Sequence, residues 1–61
     1  MFYELLWYDK RKGNEDPVWR EFKTKKQALC YYEKIKNDNN LYDFWLTKRN
    51  EEGEVLEDII Y

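Results

Sequence analysis

The sequence predicts an α+β fold: a single small domain over residues 1–61, in ββαββ order, with one helix packed on one face of a four-stranded, mainly antiparallel sheet. Three observations predict it. A length of 61 residues leaves room for one core only. Four short apolar runs bounded by turn residues have the length and aromatic content of strands. One stretch, opened by a capping signature, repeats its apolar residues at helical spacing.

Residues 2–8, Phe-Tyr-Glu-Leu-Leu-Trp-Tyr, form the first expected strand. The polar stretch 9–17 holds Gly13-Asn14 and ends in Pro17, which predicts a long hairpin loop. Residues 18–23 are the second strand. Thr24-Lys25-Lys26-Gln27 matches a capping box, with the Thr24 hydroxyl on the Gln27 amide and the Gln27 side chain reaching back. Two lysines in the first turn oppose the helix dipole, so the cap carries extra weight. Ala28, Tyr32 and Ile35 then fall on one helical stripe, flanked by Leu29 and Tyr31, and Cys30 sits one step off it as a partly buried small hydrophobe. Asn37-Asp38-Asn39-Asn40 ends the helix. Residues 41–48 give a third strand, with Tyr42, Phe44 and Leu46 on one side and Trp45 and Thr47 on the other. A turn at 50–53 leads to a fourth strand, 55–61, and an antiparallel order 2-1-3-4 satisfies a right-handed return through the helix.

The apolar residues outnumber what one face can bury. A helix of about 15 residues is roughly 22 Å long and 10 Å wide. Four strands span roughly 19 Å, so the helix covers about half of one face. Yet both alternating sets of each strand are apolar. Tyr3, Leu5, Trp7, Phe22, Phe44 and Leu46 are placed under the helix, which leaves Phe2, Leu6, Tyr8, Trp19 and Trp45 on the face without it. Three explanations stand open: loop 9–17 or a sheet curl covers that face, two copies pack through it, or it binds a partner through Trp and Tyr.

Composition narrows the function classes. The chain has no His and no Ser, which removes Ser-His, Cys-His and His-metal arrangements within it. Gly13 and Gly53 are isolated, so no phosphate-cradling loop exists. One cysteine, Cys30, cannot form an internal disulfide or a zinc site. No enzyme activity, cofactor, metal or small-molecule substrate is expected. The longest apolar run, Ala28 to Tyr32, has five residues, far short of the roughly 20 that span a bilayer. With a free thiol and no signal-peptide pattern, a cytoplasmic location is expected, without membrane attachment. Net charge is −2, but residues 1–36 hold nine Lys/Arg against six Asp/Glu, and residues 37–61 hold two against seven.

The expected role is therefore a small non-catalytic protein-binding module that occupies a partner surface, or a second copy of itself, through Phe2, Leu6, Tyr8, Trp19 and Trp45. In size and style the chain looks like the small accessory and inhibitor proteins of phages and mobile elements. Trp45→Lys is expected to abolish binding and spare the fold. The alternative is nucleic-acid binding, with Lys10, Arg11, Lys12, Arg20, Lys23, Lys25 and Lys26 contacting phosphates around aromatic platforms. Over ten residues, Trp19-Arg20-Glu21-Phe22-Lys23-Thr24-Lys25-Lys26-Gln27-Ala28 resembles the strand-to-helix junction of arm-type DNA-binding domains in phage integrases. Those domains run three strands before the helix and are markedly basic, whereas this chain has two and is acidic overall. The acidic group Glu51, Glu52, Glu54, Glu57 and Asp58 reads as a solvated hairpin tip.

Overall fold

Alternation within the first strand sets the two sides of the molecule. In the computed structural model, which describes residues 1–12 and 16–60, β1 (Phe2–Asp9) buries Leu5, Trp7 and Asp9 on one side. Phe2, Leu6 and Tyr8 point to the other. The remaining elements are β2 (Val18–Phe22), α1 (Lys25–Ile35), β3 (Leu41–Arg49) and β4 (Val55–Ile60). The sheet is antiparallel throughout, in the order β2-β1-β3-β4 that the sequence predicts. The helix connects the two neighbours of β1, packs over β1, β2 and β3, and does not reach β4. Gly13-Asn14 of the expected hairpin loop, and Tyr61 at the end of the expected fourth strand, lie outside the described residues.

Leu5, Trp7, Ala28 and Leu46 form the core. Full burial of Leu5 and Leu46, both 0% exposed, stabilises the fold by about 1.5–3 kcal/mol each. Tyr3, Phe22 and Phe44 pack against this cluster from the sheet, and Leu29, Tyr31, Tyr32 and Ile35 from the helix. The rings interlock: Trp7 meets Tyr31 edge-on at 5.9 Å, and Tyr32 meets Phe44 edge-on at 5.2 Å. All six sheet residues expected under the helix are there.

The helix has 11 residues, about 16 Å of axis, rather than about 15 residues. Thr24 caps it, its Oγ1 accepting from the Gln27 amide at 3.1 Å. The reciprocal bond from the Gln27 side chain is not formed among the described residues, so the cap rests on one hydrogen bond. Asp38 then turns the chain: its Oδ1 accepts from Asn40 N at 2.9 Å, and its carbonyl accepts from Leu41 N at 3.1 Å. Cys30 is exposed rather than partly buried, because it lies on the flank of the helix turned away from Ala28.

Two expectations about facing are corrected. Leu6 pairs with Trp45 and Tyr8 pairs with Tyr42, so β3 spends one residue more than β1 over this interval. Asp43 takes that extra place at φ 56, in a bulge. Tyr42 is thereby turned away from Phe44 and Leu46 onto the face without the helix. In β4, register shifts between Leu46 and Thr47 and between Lys48 and Arg49 break the expected alternation. Ile59 and Ile60 both pack against the core, while Val55 and Leu56 remain exposed.

Candidate protein-binding face

The sheet register builds a row of apolar side chains across the helix-free face. Leu6 of β1 stands opposite Trp19 of β2 on one side and opposite Trp45 of β3 on the other. Residues directly opposite in antiparallel strands share a face, so Trp19, Leu6 and Trp45 form a continuous line over three strands. Tyr8 adjoins Leu6 on the same side of β1, and Phe2 lies on that side beyond Glu4. All five residues expected on this face share it, and none belongs to the core beneath the helix.

The row changes character along its length. At the β2 edge Trp19 is 60% exposed. At the other end Trp45 is held: its Nε1 donates to Asp58 Oδ1 of β4 at 2.8 Å, and the Arg49 guanidinium lies 5.6 Å from its ring centroid. Arg49 also donates from Nε to Thr47 Oγ1 and from Nη1 to the Gly53 carbonyl, both at 3.0 Å, and pairs with Glu4 at 3.4 Å. Glu4 and Thr47 are themselves cross-strand partners. Glu4, Thr47 and Arg49 therefore satisfy one another beside the apolar row, while Glu21 of β2 stands opposite Glu4 at the exposed edge.

Two contributors escape sequence reasoning. Tyr42 joins the face only through the bulge at Asp43, which the alternating pattern around it does not announce. Its ring stacks on Tyr8 with centroids 5.7 Å apart. Arg49 had a readable signal, since Trp45, Thr47 and Arg49 follow at steps of two.

The residues assigned to the nucleic-acid alternative are not gathered on one face. Arg20 pairs with Leu5, on the helix side of the sheet, so it is opposed to Trp19. Lys10, Arg11 and Lys12 follow β1, whereas Lys23, Lys25 and Lys26 lie at the other end of β2, about 17 Å away for a five-residue strand. Arg11 is committed to acids: its side chain binds Asp9 at 3.0 Å and reaches Asp38 at 3.6 Å. The Asp9 carboxyl is held below its ordinary range, first by the Arg11 side-chain hydrogen bonds and then by the Arg11 backbone N–H. The turn itself is docked on the α1–β3 connection, with Lys10 N donating to Asn40 O at 2.8 Å. Lys12, Asp16 and Pro17 border a shallow hollow beside Trp19.

Among the described residues no helix is long and apolar enough to cross a membrane, and no cluster of His, Cys, Asp or Glu could hold a metal ion. Comparison of the chain with protein-family models, curated proteins and solved structures finds no significant match to any of them.

Proposed function

We propose that this chain is a non-catalytic protein-binding module that occupies a partner surface with the helix-free face of its sheet. The observation that carries the reading is the Trp19–Leu6–Trp45 row, apolar across three strands and open at Trp19. Aromatic side chains in such a row supply large contact area with few rotatable bonds, the property that concentrates binding energy at interface centres. Phe2, Tyr8 and Tyr42 extend the surface, and the Glu4–Thr47–Arg49 group gives it a polar flank.

Nucleic acid is the weaker reading. Its cations are split between the two ends of β2, Arg11 is neutralised by two carboxylates, and Arg20 faces away from Trp19. In a stacking-plus-phosphate site these groups would converge.

Trp19→Lys tests the proposal. It changes one exposed side chain on an edge strand and leaves the core untouched. Mass in solution, measured by light scattering over a wide concentration range, comes first: a dimer that dissociates on Trp19→Lys identifies the partner as a second copy. If the chain is a monomer, a cellular protein retained by the wild type should be lost by Trp19→Lys and kept by Lys23→Glu. Retention by both variants would sink the assignment of this face.

A further inference from the structure

On the helix side, the outer edge of β2 and the flank of α1 border an open cleft of about 630 Å³, within the volume range of pockets that hold ligands. Its apolar lining is Phe22, Tyr31 and Ile35, and its cations are Arg20, Lys26 and Lys34. Among the described residues no carboxylate lines it. The Arg20 guanidinium lies 4.8 Å over the Tyr31 ring, and among the described residues none of the three cations forms an ion pair. Glu33, the nearest acid along the helix, is bound to Lys36 at 2.7 Å. Lys26 and Lys34 are eight residues apart, about 12 Å along the helix, so positive charge runs the length of the cleft. A second feature accompanies it. β2 pairs only with β1, and its outer backbone N–H and C=O groups have no partner among the described residues.

We infer that this cleft takes an extended acidic peptide segment of a partner protein, added to the edge of β2 as a fifth strand. Main-chain hydrogen bonds to β2 would hold the segment, one set of its alternate side chains would enter the Phe22–Tyr31–Ile35 floor, and its carboxylates would meet Arg20, Lys26 and Lys34. Free backbone and an apolar floor are what a peptide strand requires, and a phosphate backbone uses neither. The basic rim repels a second copy of β2. The acidic β4 of another copy offers the right charge, but two register shifts interrupt it as a regular strand. This site lies on the opposite side of the sheet from the Trp19–Leu6–Trp45 row and stands independently of it.

The test is an amide chemical-shift titration of the intact chain with an acetylated, amidated peptide of alternating Glu and Val. Two control peptides accompany it: alternating Lys and Val, and the acidic peptide with alternate amides N-methylated. The acidic peptide should shift amides of residues 18–22 and 26–35 and leave those of Leu6, Tyr8 and Trp45 in place. Lys26→Glu with Lys34→Glu, both exposed, should weaken binding at least about tenfold with an otherwise unchanged spectrum. N-methylation keeps the charge and removes strand pairing, so it should abolish binding. The proposal is overturned by no shift at millimolar acidic peptide, by equal binding of the N-methylated form, or by displacement with a single-stranded oligonucleotide. Concentration-dependent chain association that the peptide blocks would overturn it in favour of a second copy.

Discussion

Tyr42 lies against Tyr8 across the β1–β3 pair, rings stacked at 5.7 Å, although Phe44, two residues further along the same strand, is packed beneath the helix. In a regular strand these two would share a side. The single residue that separates their fates is Asp43, whose φ of 56 lets β3 accommodate one residue more than β1. A β-branched residue tolerates that backbone poorly, and glycine adopts it freely.

Asp43→Val should therefore destabilise the domain by about 1–2 kcal/mol and Asp43→Gly should not. Thermal unfolding of the two variants checks the magnitude. Loss of the mutual ring-current shifts of Tyr8 and Tyr42 in the valine variant alone would tie the effect to the bulge, and equal midpoints for both variants would show that Asp43 bears no backbone strain.

The two ends of the Trp row should respond differently to substitution. Trp45→Lys removes the hydrogen bond to Asp58 and the ring beneath Arg49, and should cost about 2 kcal/mol. Trp19→Lys, at a side chain 60% exposed, should stay within about 0.5 kcal/mol of the wild type. Chemical denaturation of both reads the difference. Trp19 is for this reason the better probe of binding, since a loss at Trp45 mixes contact with folding.

Thr24→Ala should lower stability by about 1 kcal/mol, because the hydroxyl supplies the cap of a helix whose first turn has two lysines and no acid. In a domain this size that corresponds to a melting point lower by about 4–8 °C. Thr24→Ser, which keeps the acceptor, should restore most of it, and failure to do so would point to the methyl group instead.

Asp9 makes stability depend on acid. Its carboxyl titrates below the ordinary aspartate value in the folded chain, chiefly because Arg11 donates to it from both side chain and backbone. The contribution is complete above the unfolded value of about 3.9, and it is lost as pH falls through the lower folded value. Asp9→Asn should be less stable at neutral pH, and the gap between the two proteins should close in acid. A gap that persists unchanged below about pH 3 would show that the turn is held by something other than the charge.

Much of the architecture is legible in the chain because its signals are local. Leu5 and Leu6 are adjacent and identical in chemistry, yet the pleat sends them to opposite sides, and their neighbours at steps of two follow. Thr24 and Gln27 mark the helix start by spacing alone. What was hidden depends on backbone geometry that several residue types can adopt. Tyr-Asp-Phe alternates as well without a bulge as with one, so the placement of Tyr42 could not be read from it. The shifts in β4 similarly put the adjacent Ile59 and Ile60 both against the core. Cys30 is exposed because a narrow sheet needs only a narrow helix stripe, and the helix flank is left for solvent. The cleft beside β2 needed the strand order as well as the sequence, since only an edge strand has backbone to offer.

Across its thinnest dimension the molecule measures 15 Å, one sheet and one helix deep. A protein with only two layers has one apolar plane whose solvation is decided by what else is in the tube. Whatever settles on the Trp19–Leu6–Trp45 side acts as a third layer, and its concentration enters the folding equilibrium directly. At a hundredfold excess over its dissociation constant, such a cover would add about 2.7 kcal/mol to the stability of the chain. For a domain whose described residues bury only four apolar side chains in the core, occupancy and foldedness then become two readings of one equilibrium.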